Sequence, residues 1–125
     1  MQLMQKVREF RDKALDVSFD DTRAFEYTDK DRRTLAVRLI SQEFGEYAKA
    51  EHEDDLVEIA DALGDLIYVC AWTALEYGID LDEVFDEIHR SNMTKTWPDG
   101  TFHKDSGGKV MKPDTFEPPN ILGVM

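Results

Sequence analysis

The stretch from Asp55 to Gly78 constrains the fold more than any other part of this chain. Asp54 or Asp55 can cap a helix that starts just after them, and Asp55 with Glu58 has capping-box spacing. Leu56, Ile59, Ala60, Leu63, Ile67, Cys70, Ala74 and Tyr77 then recur at helical intervals. Leu66, Val69 and Trp72 widen this stripe, so the helix is expected to be the central one of a bundle. Gly78 ends it in the manner of a left-handed C-cap.

Helical spacing returns on both sides. Leu3, Val7, Phe10 and Ala14 step by four, three and four, which predicts a first amphipathic helix. Leu35, Leu39, Ile40, Phe44 and Tyr47 mark a second, from about Asp31 to Ala50. Asp80 and Glu83 repeat the capping-box spacing ahead of Leu81, Val84, Phe85 and Ile88, a helix that runs to about Thr94. Residues 16–29 are polar and mixed and are expected to form a loop with a short helical turn. Past Trp97, Pro98-Asp99-Gly100 and Ser106-Gly107-Gly108 are turns, and the runs TFHK and KVMK can pair as a small hairpin. Pro113, Pro118 and Pro119 make an extended arm, of a kind that stays ordered by lying on a neighbour. The expectation is one all-α domain over residues 1–125. An antiparallel four-helix bundle fills about 1–95, and a C-terminal hairpin or arm follows over about 96–125.

Composition narrows the function. With 125 residues, 42 % of them hydrophobic, the chain can bury a core without staples. One cysteine, Cys70, allows no intramolecular disulfide, and a reduced cytoplasmic setting is the simplest expectation. No apolar run approaches the roughly 20 residues of a membrane span, and the opening MQLMQKVREFRDK lacks the apolar centre of a secretory signal. The formal net charge of −12 argues against a nucleic-acid binder, which needs a basic face. The imbalance is local: residues 41–90 hold two basic and fifteen acidic side chains. Binding of cations would explain that concentration, although acidic helix faces also occur without a ligand.

The acidic positions have a pattern. Glu43 and Glu46 lie three apart on the second helix, and Glu58 and Asp61 lie three apart on the third, with Asp65 four further on. Residues three and four apart share a helix face. The connection near residue 52 is short, so the two helices are expected to pack antiparallel. Glu46 and Glu58 then lie about six residues from that connection, and Glu43 and Asp61 about nine. At about 1.5 Å per residue the four carboxylates fall at two matching levels. Carboxylates that converge this way must protonate or hold cations. An all-oxygen donor set without His or Cys favours Mg²⁺ or Mn²⁺ over Zn²⁺. The competing reading is a solvated acidic face with Glu58 as a capping residue only. Asp65 sits among Leu63, Leu66 and Ile67, where an unpaired carboxylate is costly. After the fourth helix, HRSNMTK offers Arg90, Asn92 and Lys95, either as phosphate and nucleoside contacts or as ordinary basic groups at a helix C-terminus.

These residues resemble the all-α nucleoside triphosphate pyrophosphohydrolases, which include MazG, the dimeric dUTPases, dCTP pyrophosphatases and phosphoribosyl-ATP pyrophosphohydrolase. The EExxE…ExxD signature of that superfamily stands here as Gln42-Glu43-Phe44-Gly45-Glu46 and Glu58-Ile59-Ala60-Asp61. VEIADALGDLIYV, YGIDLDEVFDEIHRSNMTK and the ending DGTFHKDSGGKVMKPDTFEPPN are similar to its MazG-like branch, so the likeness covers most of residues 35–120. The resemblance implies Mg²⁺, with Mn²⁺ as a substitute, on Glu43, Glu46, Glu58 and Asp61. It gives Glu43, Glu46 and the Gln42 position the catalytic motif, and Asp65, Asn92 and Lys95 contacts to a nucleoside triphosphate. The reaction implied is hydrolysis to the monophosphate and pyrophosphate, with a pyrimidine deoxynucleotide such as dUTP or dCTP as substrate, in a homodimer or homotetramer with sites near subunit contacts. The alternatives are phosphoribosyl-ATP hydrolysis and a nucleotide- or metal-binding module of weak turnover. Two departures bear on these. Gln42 replaces the first Glu of EExxE with a neutral side chain, and Trp72 stands where many relatives carry a small residue.

Overall fold

The computed structural model describes residues 2–15 and 30–125, with the backbone alone for Leu15. The loop expected over residues 16–29 lies outside the described residues. Four α-helices follow one another: α1 Leu3–Leu15, α2 Lys30–His52, α3 Leu56–Glu76 and α4 Leu81–Met93, with a 3₁₀ turn at Leu122–Val124. No β-strand occurs among the described residues, so the chain is all-α, with the element content of a four-helix bundle. Two compact units divide it, residues 1–81 and 82–125.

Local chemistry sets the α2–α3 hairpin in the first unit. Asp54 has φ 54°, and the backbone amides of Asp54 and Asp55 reach back to the carbonyls of Glu51 and Ala50 at 3.3 and 3.1 Å. This is a Schellman ending with Asp54 in the left-handed position where glycine is usual. Asp55 then starts α3: its carboxylate accepts the Glu58 amide at 3.1 Å. One aspartate therefore stops α2 and the next starts α3, which leaves a connection so short that the helices run antiparallel and pack together. The same ending recurs at the other end of α3. Gly78 has φ 71°, and the Gly78 and Ile79 amides bond to the Leu75 and Ala74 carbonyls at 3.1 and 2.9 Å.

Both α1 and α2 pack on α3, which is the central helix of this unit. The core is small: Met4 and Val7 from α1 meet Ala71, Ala74 and Leu75 from α3, with Tyr68, Trp72, Ile79 and Leu81 partly buried around them. Two expectations need correction. On α1, Val7 of the predicted stripe is buried, but its inward neighbours are Met4 and Arg11, while Leu3, Phe10 and Ala14 are exposed. Arg11 turns inward because its guanidinium donates from Nε and Nη2 to Glu76 Oε1 at 3.2 and 3.1 Å. Phe10 instead lies edge-on to Tyr68 and Trp72, each at 5.8 Å between ring centroids. On α3 the buried positions gather in the C-terminal half, and Leu56, Val57, Leu63 and Ile67 remain exposed. Periodicity marked that face as apolar, but no element among the described residues of this unit covers it.

In the second unit the tail is hydrogen-bonded to its own helix. The hydroxyl of Ser91, which is buried, donates to the Glu117 carbonyl at 2.7 Å, and the Glu117 amide donates to Thr94 Oγ1 at 2.9 Å. The Asn120 amide reaches Glu87 Oε2 at 3.3 Å. TFHK and KVMK meet at a single antiparallel bridge, Lys104 with Val110, rather than a ladder. Asp105 Oδ1 closes the turn between them by accepting the Gly107 and Lys109 amides, both at 2.9 Å. The arm expected to need a neighbour therefore lies on α4 of the same chain.

Candidate functional site

Carboxylates of α2 and α3 meet across the hairpin at two places. Glu46 and Glu58 line one cleft of about 370 Å³ with Lys49, Ala50 and Glu53. One level deeper, Glu43 is half-buried, and its Oε2 is buried without a hydrogen-bond partner. Burial raises the Glu43 carboxyl above its ordinary value. Contact with the Glu46 carboxyl raises it further, as do the charges of Glu46, Asp65 and Asp61. So Glu43 is surrounded by its own sign of charge, with a buried oxygen that nothing among the described residues satisfies. The side chains are not gathered to ligand distance: among the described residues, no group of three or more His, Cys, Asp or Glu is placed to hold a metal. The donor set nevertheless fits a hard cation. It is all oxygen, it straddles two helices, and the orphaned Glu43 oxygen lacks what a cation supplies.

The remaining sequence-derived residues fall as follows. Asp65 is exposed, not buried in the apolar stripe, and its charge acts on Glu43. Gln42 is exposed and lines an open cleft with Arg38 and Ser41. Trp72 closes a narrow cleft of about 60 Å³ with Arg32, Leu35, Leu39 and Glu76. Cys70 is half-buried with its thiol pushed up by that burial, which suits packing rather than nucleophilic work. In the second unit, Asn92 is exposed on α4, and Lys95 follows the helix with its ammonium 5.9 Å from the centre of the Phe116 ring.

Sequence reasoning missed two cationic features. The first half of α2 lines a cleft of about 720 Å³ with Lys30, Arg33 and Arg38, opposite Thr73 and Tyr77 of α3. The signal was present in the run KDRR and in Arg38 at helical spacing, masked by the acidity of the helix that follows. Lys112, far from α4 in sequence, also lies over the Phe116 ring, at 5.0 Å. No local pattern announces that meeting.

The family model described as phosphoribosyl-ATP pyrophosphohydrolase matches residues 7–92. The chain belongs to this family. It is a MazG-like, all-α nucleoside triphosphate pyrophosphohydrolase family. The match takes in every carboxylate of the cluster and Asn92, and stops short of Lys95 and the tail. An uncharacterized protein, L479 of Acanthamoeba polyphaga mimivirus, is 41 % identical over 56 residues, which cover 43 % of this chain and 22 % of that relative. No helix among the described residues is long and apolar enough to cross a membrane.

Proposed function

We propose that this family member is a Mg²⁺-dependent nucleoside triphosphate pyrophosphohydrolase, which converts a deoxynucleoside triphosphate and water to the monophosphate and pyrophosphate. The observation that carries the reading is Glu43, crowded by Glu46, Asp61 and Asp65 with a buried, unsatisfied oxygen. Glu43, Glu46, Glu58 and Asp61 would hold the cation, with Mn²⁺ as a substitute. The cation would supply charge neutralisation for the phosphates and lower the pKa of water. Glu43 and Glu46 lie on one face of α2 and keep a high density of acceptors where an attacking water must lose its proton. Gln42, neutral, can orient such a water by hydrogen bonding but cannot take its proton. Lys95 would neutralise charge on the departing pyrophosphate as a point charge, and Asn92 would bond the nucleoside. Asp65 would meet the substrate on the α3 side.

A pyrimidine deoxynucleotide, dUTP or dCTP, is the leading substrate, by resemblance. The description of the matching family favours a second reading, phosphoribosyl-ATP. Val37, Phe44, Leu56, Val57 and Ile67 are each more than half exposed on α2 and α3, an apolar surface that supports a homodimer or homotetramer. The test is pyrophosphate release from a panel of deoxynucleoside triphosphates, ribonucleoside triphosphates and phosphoribosyl-ATP, with Mg²⁺, with Mn²⁺ and with chelator. Metal-dependent release that Glu46→Gln abolishes is the expected result and names the preferred base. No release from any member, by wild type and variant alike, would overturn the reading.

A further inference from the structure

The tail carries a second charged cluster of opposite sign. Pro113 is buried, and the Phe116 amide bonds to the Pro113 carbonyl at 3.0 Å, so the chain turns just before the ring. Glu117 is then held by Ser91 and Thr94 of the α4 end, which sets Phe116 beside Lys95. Lys112 approaches the same ring from the other side of that turn in sequence. Two ammonium groups thus share one aromatic ring, at 5.9 and 5.0 Å from its centre. A ring attracts a cation through its face, and two cations drawn to one ring repel each other. Neither lysine has an ion-pair partner among the described residues, whereas the nearby Arg90 is engaged by Glu87 and Glu117.

We propose that Lys112 is a second anion-binding residue that acts with Lys95, and that the pair on Phe116 takes the phosphate chain of the nucleotide. A polyphosphate carries several charged oxygens along its length, so one chain can meet both ammonium groups and relieve their repulsion. A single carboxylate meets one of them. Phe116 is the positioning residue: it draws both ammonium groups to one place without neutralising either charge. The identity of the anion as the substrate's phosphates rests on the proposed function, whereas the lysine pair itself does not.

The experiment is a calorimetric titration of the full chain with inorganic tripolyphosphate in Mg²⁺ buffer, run on wild type, Lys112→Ala, Lys112→Arg and Lys104→Ala. Lys104 carries the same charge on the bridge with Val110 and serves as the control for net charge. Loss of one charge-assisted contact should weaken binding about tenfold or more in Lys112→Ala. Lys112→Arg should bind within a few-fold of wild type, and Lys104→Ala should match wild type. The proposal is overturned if wild type does not bind tripolyphosphate, if Lys112→Ala binds as wild type does, or if Lys104→Ala loses as much. The nucleotide panel stands apart: a panel without pyrophosphate release, beside Lys112-dependent tripolyphosphate binding, would remove the enzyme reading and leave the lysine pair.

Discussion

Glu76 and Glu43 are the same side chain in the same helix pair, and the chain treats them in opposite ways. Glu76 ends α3 with 4 % of its surface exposed. Its Oε1 accepts two bonds from the equally buried Arg11 of α1, and its Oε2 accepts one from Arg32 of α2 at 3.1 Å. Three helices are tied by one carboxylate, and its charge is met twice. Glu43, further along the α2–α3 pair, is met by Glu46, Asp61 and Asp65, and no cation among the described residues acts on it. Burying a charge is costly unless it is paired. A fold that pairs Glu76 so fully, yet crowds Glu43 with its own sign, has placed one carboxylate for cohesion. The other has no such partner among the described residues, an arrangement that the proposed cation would relieve.

The largest way to test this contrast is Glu76→Gln. Removal of one partner of a buried pair leaves Arg11 with only the more distant Asp12 carboxylate, at 4.0 Å, and costs about 3–5 kcal/mol. Urea unfolding measures it, and a loss below about 1 kcal/mol would place Glu76 among weak surface pairs. Next is Asp55→Ala, which removes the cap at the acidic end of α3 and should cost about 1 kcal/mol by the same measurement. It should lower stability less than Glu76→Gln, because the acidic end is held by few buried contacts. Glu43→Gln has the opposite sign. The folded chain holds a proton at Glu43 more tightly than the unfolded chain. This group therefore favours the fold at acid pH and loses that contribution as pH rises above the ordinary glutamate range. At neutral pH without metal, Glu43→Gln should melt slightly higher than wild type, and Mg²⁺ should raise the melting temperature of wild type only.

The smallest effect lies at a third carboxylate. Asp99, on the surface, bonds His103 at 2.9 Å and the Thr101 amide and hydroxyl at 2.9 and 2.8 Å. The bond to His103, then those from Thr101, lower its pKa to about 2. A lowered carboxylate stabilises the fold above its unfolded value and loses this as pH falls toward about 2. His103→Ala should return Asp99 toward the ordinary range, read from the carboxyl carbon shift in an NMR titration. An unchanged value would assign the lowering to Thr101. Trp97 stacks on His103 at 4.3 Å and reports the same loss by fluorescence.

What the sequence disclosed of this arrangement follows from the range of each interaction. The ends of α3 were legible because Asp55 with Glu58 and the glycine at 78 act within a single turn. The antiparallel pairing of α2 and α3 was legible because the connection between them is only three residues long. Arg11 was not, since a charged side chain enters the core only by virtue of Glu76, 65 residues away. Nor was the exposure of Leu56, Val57 and Ile67, since an apolar period does not say what covers it. The shared ring of Lys95 and Lys112 depends on how the tail returns to α4, which turn residues allow but do not dictate.

The central claim is that Glu43 waits for a cation. A titration of the chain with Mn²⁺, followed by the electron paramagnetic resonance signal of the free ion, tests it most directly when wild type and Glu43→Gln are compared. The account predicts that wild type withdraws Mn²⁺ from solution, that excess Mg²⁺ returns it, and that Glu43→Gln withdraws far less. Equal binding by both chains, or none by wild type, would contradict it.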